Sequence, residues 1–202
     1  KRQERADAKA AVQRVDGWLQ LRNRQLIGTE VRVDGTITVP SGTARVRGSI
    51  DRLERDAEGA YYVVDLKTGT SQSDEIKQSH RLQIGVYQAV VASGGVEAIG
   101  PASVSGAELV HLRIGAGIGQ ANPKVDYQSG LVDVPWPDEA EPVDGCCNWV
   151  EASVDKALRI VTSGEYPAIA NRGCGHCPAR AGCPALVPMD PATVGSDRRR
   201  NW

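Results

Sequence analysis

Two stretches of this sequence decide the fold: VRGSIDR at residues 46–52 and YYVVDLKTG at residues 61–69. Both are typical of β-strands, with apolar and β-branched residues between polar ones. They nevertheless carry Asp51, Asp65 and Lys67, which are charged side chains in segments that otherwise look buried. Charged groups are costly to bury unless they are paired or bind a metal. The pattern therefore predicts that these three side chains converge on one cation site.

The register of the two strands decides whether the carboxylates meet. Asp65 and Lys67 are two residues apart on one strand, so they project to the same face. If the connecting loop, centred near Glu58, has an odd number of residues, Asp51 faces Asp65 with Cβ atoms about 4.5–5.5 Å apart. An even loop would place Asp51 on the opposite face of the sheet and would separate the three groups.

Two carboxylates at this distance repel each other unless a cation lies between them. Mg²⁺ or Mn²⁺ suits such hard oxygen ligands and keeps water molecules on the substrate side. A bound ion of this kind activates water and neutralises charge on a phosphate, and a neighbouring lysine can orient the water. The alternative is structural: Asp51 pairs with Arg52 or Arg47 on a wet strand face, and Lys67 only ends a strand.

The remaining sequence predicts a helix, a cluster of strands, a helix, more strands and a last helix. Hydrophobic periodicity places the helices at residues 1–22, 74–92 and 138–162. It places the strands at residues 29–40 (around a turn at Asp34-Gly35), 44–54, 60–67, 107–114 and 124–134. This order predicts an α/β fold with a mixed β-sheet flanked by helices.

The charge distribution bears on the partner. The net charge of −1 over 202 residues argues by itself against nucleic acid. Basic side chains are nevertheless concentrated in residues 1–24 and 198–200, whereas residues 133–155 carry acidic side chains and no basic ones. A polyanion could be held along one side of such a molecule, although both runs could equally be solvated helix faces.

The composition also narrows how a polyanion would be bound and where the protein acts. Phenylalanine is absent and aromatic residues make up 4%, so DNA binding would rely on phosphate contacts more than on extensive base stacking. No apolar run approaches the roughly 18 residues of a membrane span, and no signal peptide opens the chain. We therefore expect a cytoplasmic protein without a membrane partner.

A cysteine cluster marks the C-terminal region. Cys174, Cys177 and Cys183 have the spacing Cys-x2-Cys-x5-Cys, and five cysteines without a secretory signal do not suggest a disulfide scaffold. Thiolates at this spacing can bind zinc or an iron–sulfur cluster, but three are one short of a closed four-ligand site. The fourth ligand could come from one of three further residues: Cys146, Cys147 or His176. Free thiols in a loop are the alternative.

Three motifs together resemble the RecB family of PD-(D/E)-x-K nucleases: GSIDR at residues 48–52, VVDLKTG at 63–69 and QIGVY at 83–87. The resemblance implies a restriction-endonuclease-like core over residues 1–165 and a Cys-rich metal tail over 166–202. The resemblance also implies a metal-dependent deoxyribonuclease with exonuclease action. In it, Asp51 and Asp65 would be ligands of Mg²⁺ or Mn²⁺ and Lys67 would be the catalytic lysine. Gln83 and Tyr87 would lie beside the site on the DNA side.

The sequence departs from this family in one respect. Family members also use a histidine ligand upstream of the first motif strand, whereas His80, His111 and His176 all follow Asp51. Glu30, at a strand start, is a weak candidate to help, although an exposed strand-edge carboxylate is the simpler interpretation. The family resemblance also implies a [4Fe–4S] cluster held by Cys174, Cys177 and Cys183 with a fourth cysteine upstream of this chain, zinc being the alternative.

The same resemblance implies a biological setting. We expect the C-terminal nuclease domain of an AddB/AdnB-like bacterial helicase–nuclease subunit, acting on DNA ends in double-strand break repair. Its partners would be DNA, a helicase portion of the same polypeptide and a second subunit. Met189 is the only methionine and no Gly-x4-Gly-Lys-Ser/Thr motif occurs, so we expect a fragment whose motor lies elsewhere. The alternatives are a stand-alone nuclease of the CRISPR-adaptation type and an inactive nuclease-like module that binds DNA or a partner.

Overall fold

The computed structural model describes residues 2–69, 74–117, 122–137, 141–166 and 168–185, without the side chains of residues 2, 3, 74–80 and 172. Three α-helices and five β-strands make up the regular structure of these residues. In chain order they are α1 (Arg2–Gln20), β1 (Gln25–Val39), β2 (Gly42–Arg55), β3 (Tyr61–Lys67), α2 (Asp74–Ala92), β4 (Val104–Gly115), β5 (Pro123–Ser129) and α3 (Trp149–Ser163).

The five strands form one mixed sheet in the order β1-β2-β3-β4-β5. Strands β1, β2 and β3 are joined as antiparallel hairpins, and β4 pairs with β5 in the same way. Strands β3 and β4 run parallel, because α2 carries the chain back across the sheet before β4 begins. The prediction of an α/β fold with a mixed sheet flanked by helices is therefore confirmed.

One face of the sheet carries the main hydrophobic core. Val90 and Val91 of α2 pack against Leu53, Val63 and Leu109 of the central strands, and all five are almost fully buried. Parallel pairing of β3 and β4 requires cover on this face, which α2 provides. The C-terminal ends of β3 and β4 therefore emerge beside the first turns of α2.

The opposite face of the sheet carries a buried ionic network beneath α1. Glu54 and Glu108 are 0% and 1% exposed, and they accept hydrogen bonds from three arginines: Arg22, Arg24 and Arg52. The guanidinium of Arg22 also lies 4.3 Å from the ring centre of Trp18. Burial disfavours the charge of Arg22, but Glu54 and Glu108 raise its pKa above the usual value. Both buried carboxylates on this face are thus neutralised by the chain itself.

The predicted turn at Asp34-Gly35 is wrong, because β1 runs unbroken through both residues. A Cβ atom on Gly35 would lie 2.9 Å from the Cα of Gly95, and the Asp34 N–H donates to the Gly95 carbonyl (2.9 Å). Glycine at this position allows the backbone of β1 to lie close to the segment that follows α2. In the sequence alone, an Asp-Gly pair that serves this purpose looks the same as one that forms a hairpin turn. The turn lies at residues 40–41, between Val39 and Gly42.

The last predicted strand and the last predicted helix were both too long. Strand β5 ends at Ser129, and α3 begins only at Trp149. The Asn148 side chain accepts the backbone N–H groups of Val150 (3.1 Å) and Glu151 (3.0 Å), which is an N-terminal helix cap. The predicted residues 138–140 lie outside the described part of the chain.

The chain separates into two compact units, Lys1–Arg159 and Ile160–Trp202. The described part of the second unit consists of the end of α3 and two short 3₁₀ turns, Arg172–His176 and Arg180–Gly182. The predicted boundary between a nuclease core and a metal tail, at residues 165/166, is a functional division and stays a prediction. Among the described helices, none combines the length and apolar character needed to cross a bilayer.

Candidate active site

Asp51 and Asp65 lie on neighbouring strands in the register that brings them together. The loop between β2 and β3 has five residues, 56–60, and Arg52 pairs with Val64. Continued by one position, this register sets Asp51 opposite Asp65, and Asp65, two residues from Val63, shares the face of the sheet that α2 covers. The odd loop that the carboxylate pair requires is therefore present.

Short hydrogen bonds hold the polar groups of this pair. The Leu66 N–H donates to the Asp51 Oδ2 atom (2.7 Å), which ties the first carboxylate to the end of β3. The Lys67 Nζ atom lies 2.8 Å from the Asp65 Oδ2 atom and donates to the Gln83 Oε1 atom (2.9 Å). Asp65 is 5% exposed, so this carboxylate is held in a nearly dry position next to an ammonium group.

The structural alternative for Asp51 assigned it to Arg52 or Arg47. Arg52 instead donates to Glu54 (2.6 Å) on the other face of the sheet, and Arg47 donates to Asp34 (3.2 Å). Asp51 is therefore directed toward Asp65 and the end of β3 and away from a surface ion pair. Asp51, Asp65 and Lys67 together form a group of two carboxylates and one ammonium. This group is net negative and attracts cations.

Gln83 and Tyr87 lie one helical turn apart in α2, so they share the face that points to this group. Gln83 reaches Lys67 directly, as described above. Tyr87 lies against Gly48 of β2, where an added Cβ atom would be 2.8 Å from the Tyr87 Oη atom. Gly48 thus allows the tyrosine to lie close to the backbone of the strand that carries Asp51.

Glu30 lies across from Asp51 in β1, between the pairs Thr29–Arg52 and Val31–Ile50. Its φ of 50° is the left-handed value that non-glycine residues rarely adopt, and it marks a bend in the hairpin. Its carboxylate is exposed and accepts a hydrogen bond from the Ser49 hydroxyl (3.1 Å). It does not join Asp51 and Asp65 in a three-ligand group.

A second polar cluster, to which the sequence pattern assigned no role, lies beside Lys67. His111 of β4 is the direct neighbour of Lys67, is 5% exposed, and its Nε2 atom is 2.8 Å from the Asp126 Oδ2 atom. Burial disfavours the charge of Asp126, yet the bonds from His111 and Lys124 lower its pKa below the usual value. Alternation along β4 and β5 could have revealed this cluster once their register was known.

The donor set fits a divalent cation that takes few protein ligands. In the described part of the chain, no three His, Cys, Asp or Glu side chains are placed to hold a metal ion. Mg²⁺ is commonly bound through one or two carboxylates, with water and substrate phosphate completing its shell. Asp51 and Asp65 are hard oxygen donors in that number, and each carboxylate can accept more bonds than those described above.

The cysteine triplet lies in the two 3₁₀ turns of the second unit, and the described residues show no metal-binding group there either. The Cys174 Sγ atom instead accepts the N–H of Asn171 (3.1 Å), and His176 is exposed. None of the five cysteines forms a disulfide bond with another. In the first unit, burial and then the charges of Asp155 and Glu151 raise the pKa of Cys146, which disfavours its thiolate form.

A sequence model of the PD-(D/E)XK nuclease superfamily matches residues 1–184. The chain belongs to this superfamily. The Asp-Leu-Lys of β3 lies within the matched range, as does the whole of the described sheet. The branch within the superfamily is not decided by this match, so the RecB assignment stays a prediction.

Other similarities are weaker. No curated protein matches this chain in sequence. A crystal structure titled for SSO0001 superimposes with a TM-score of 0.48 and 18% identity, covering 86% of this chain. The present chain spans 66% of the length of that one.

The contact between Gly48 and Tyr87 can be tested by stability. We expect Gly48→Ala to lower the free energy of unfolding by about 1–3 kcal/mol, because its Cβ atom overlaps the tyrosine. The same substitution in a Tyr87→Ala background should cost clearly less, as measured by chemical denaturation of the four proteins in a double-mutant cycle. Gly69→Ala, where no atom lies within 4 Å, is the matched control. An equal cost in both backgrounds would disprove the contact.

Proposed function

We propose that this protein is a metal-dependent deoxyribonuclease that hydrolyses phosphodiester bonds at the group formed by Asp51, Asp65 and Lys67. The observation that supports the proposal best is the shared position of two carboxylates and an ammonium at the end of β3, in a chain of the PD-(D/E)XK superfamily. Such a group can bind a hard cation and meet a phosphate on its open side.

In this proposal the chain orients and stabilises the reacting groups. Asp51 and Asp65 would hold Mg²⁺ or Mn²⁺, which supplies charge neutralisation of the phosphate and a more acidic water. Lys67 stabilises the negative charge that develops when water oxygen attacks phosphorus and the bond to the leaving sugar oxygen breaks. Gln83 keeps the Lys67 Nζ atom in place through its 2.9 Å hydrogen bond. Tyr87, lying on Gly48, supports the strand that carries Asp51.

A second function is favoured by the shortage of ligands. The upstream histidine of the resembled family is absent, and the described residues supply only the two carboxylates. A module that grips DNA or a partner without cutting it would need neither a third ligand nor a bound ion. The two alternatives differ in whether the protein cleaves DNA catalytically.

Substitution at the carboxylate pair tests the proposal. We expect Asp51→Asn, Asp65→Asn and Lys67→Ala each to lower Mg²⁺-dependent cleavage of linear DNA by about a hundredfold or more, because each removes charge from the reacting centre. Asp51→Asn keeps an oxygen that can accept the Leu66 N–H, so its fold should be retained. The measurement is product formation from end-labelled DNA in Mg²⁺ and, separately, in Mn²⁺.

The control is Asp16→Asn, which removes an exposed carboxylate of α1 that accepts a hydrogen bond from Gln20 of the same helix (2.9 Å). It should cut at the rate of the unmodified protein. DNA that remains intact with the unmodified protein, in both metals, would support the DNA-gripping module instead. Normal cleavage by the Asp65→Asn and Lys67→Ala variants would place the chemistry elsewhere.

The wider setting is proposed on the motif resemblance. The RecB-like pattern favours exonuclease action on DNA ends within a bacterial, cytoplasmic helicase–nuclease, with a motor in the same polypeptide and a second subunit. A stand-alone nuclease of the CRISPR-adaptation type carries a similar cysteine triplet and is the competing setting. The five-strand core and its carboxylate pair would serve equally in both.

We also propose that Cys174, Cys177 and Cys183 bind one metal centre, a [4Fe–4S] cluster or zinc, with a fourth ligand still to be identified. The spacing of the thiols supports this proposal. Protein purified without oxygen should contain stoichiometric iron or zinc by elemental analysis, and Cys177→Ser should lose it. An iron–sulfur cluster would absorb visible light, whereas zinc would not. A metal content unaffected by Cys177→Ser would refute the assignment.

A further inference from the structure

A cavity of about 440 Å³ lies beside α2 on the same face of the sheet as the candidate active site. Described residues that line it include Arg81 and Leu82 of α2, Gln128 of β5, Val134, and Trp149 and Ser153 of α3. Its size is in the range of sites for small organic groups. The roles proposed so far for Asp51, Asp65 and Lys67 make no use of it.

Gln128 is the most unusual residue of this cavity. Both polar atoms of its side-chain amide are buried and have no hydrogen-bond partner in the described part of the structure. Buried amides are normally paired, because the unpaired groups forfeit their bonds to water. An amide offers one donor group and one acceptor, and this combination recognises the edge of a nucleobase.

Trp149 supplies a flat apolar surface in the same cavity. Its ring rests against α2 at Gly85, where an added Cβ atom would be 3.1 Å from two of its ring carbons. The backbone N–H of Trp149 donates to the Pro135 carbonyl (2.8 Å), which fixes the start of α3. An indole held in this way can stack on a base of any identity.

The position of the cavity connects it to the proposed chemistry. Arg81 precedes Gln83, which bonds Lys67, by two residues on α2. Across the sheet, Gln128 pairs with Ala107, and Ala107 pairs with Val63 of the strand that carries Asp65. Two strand spacings separate Gln128 from β3 by about 10 Å. Asp65 lies two residues beyond Val63 on β3, so the backbones of Gln128 and Asp65 are about 12 Å apart, a span that a short single strand of DNA can cover.

We infer that this cavity is a subsite for one unpaired nucleobase of the DNA strand being cut, with Trp149 stacking on the base and Gln128 bonding its edge. Adenine fits the amide best, since glutamine can both accept from its N6 amino group and donate to its N7 atom. Arg81 is exposed and lines the same cavity, so its guanidinium could bind a backbone phosphate. That the ligand is a DNA strand rests on the proposed function. The subsite further requires that the strand is unpaired at this position, because a base within a duplex cannot enter a pocket.

Equilibrium binding in EDTA, where no cleavage occurs, tests the inference. Fluorescence anisotropy would compare oligo(dA) with an oligonucleotide of equal length made of abasic sites. We expect the protein to bind oligo(dA) about tenfold more tightly than the abasic strand, and Gln128→Leu to abolish that margin while leaving abasic binding unchanged. Ser153→Leu, which fills the cavity from α3, should have the same effect and covers the case in which Gln128→Leu does not fold.

Val12→Ala is the matched control. Val12 is a 68% exposed apolar residue of α1 and is not among the described residues that line the cavity. This variant should keep the margin between oligo(dA) and abasic DNA. A margin that survives both Gln128→Leu and Ser153→Leu, or its absence in the unmodified protein, would overturn the inference. Competition by free dAMP at the concentration at which oligo(dA) competes would also overturn it, since the pocket would then take free nucleotides.

The two proposals can fail separately. Protein that cuts DNA but shows no base-dependent margin would refute the subsite and leave the nuclease. Protein that shows the margin but never cuts would refute the nuclease and leave a base-binding site. Lys67→Ala should lose cleavage and keep the margin, because Lys67 does not line the cavity.

Discussion

The register between β2 and β3 is the constraint on which the rest of this structure depends. The loop of five residues is held by Asp56, which accepts the Ala60 N–H (2.8 Å), and by Gly59 with a φ of 89°. One residue more or fewer would rotate Asp51 to the other side of the sheet. The Leu66 N–H bond to Asp51 exists only in this register, and it ties the first carboxylate to the strand of the second.

The two faces of the sheet treat buried carboxylates in opposite ways. Under α1, Glu54 and Glu108 meet three arginines, so the face is neutralised internally and serves to fix α1 on the sheet. Under α2, Asp65 is paired with Lys67, and Asp51 accepts the backbone N–H of Leu66. The first network supplies its own cations, whereas the carboxylate pair under α2 would take a divalent ion in the proposed function. This difference separates a stabilising cluster from a candidate reaction centre within one sheet.

Much of the fold could be predicted because local patterns specified it, whereas the roles of the site residues stay predictions. The alternation in β2 and β3 and the odd loop near Glu58 were enough to place Asp51 beside Asp65. Other features needed long-range information. Gly35 has the sequence of a turn but serves a close approach to Gly95, and His111 meets Lys67 only because a helix returns the chain to a parallel strand. The cavity at Gln128 likewise depends on where α3 packs.

Binding of a divalent cation between the two carboxylates is the claim that carries the whole account. The most direct test is a crystal structure of the protein with Mn²⁺, with anomalous scattering measured to locate the ion. The account predicts an anomalous peak within coordination distance, about 2.1 Å, of an oxygen of Asp51 and an oxygen of Asp65. An anomalous peak found only at other positions, or no peak at saturating Mn²⁺, would contradict binding of the ion between the two carboxylates.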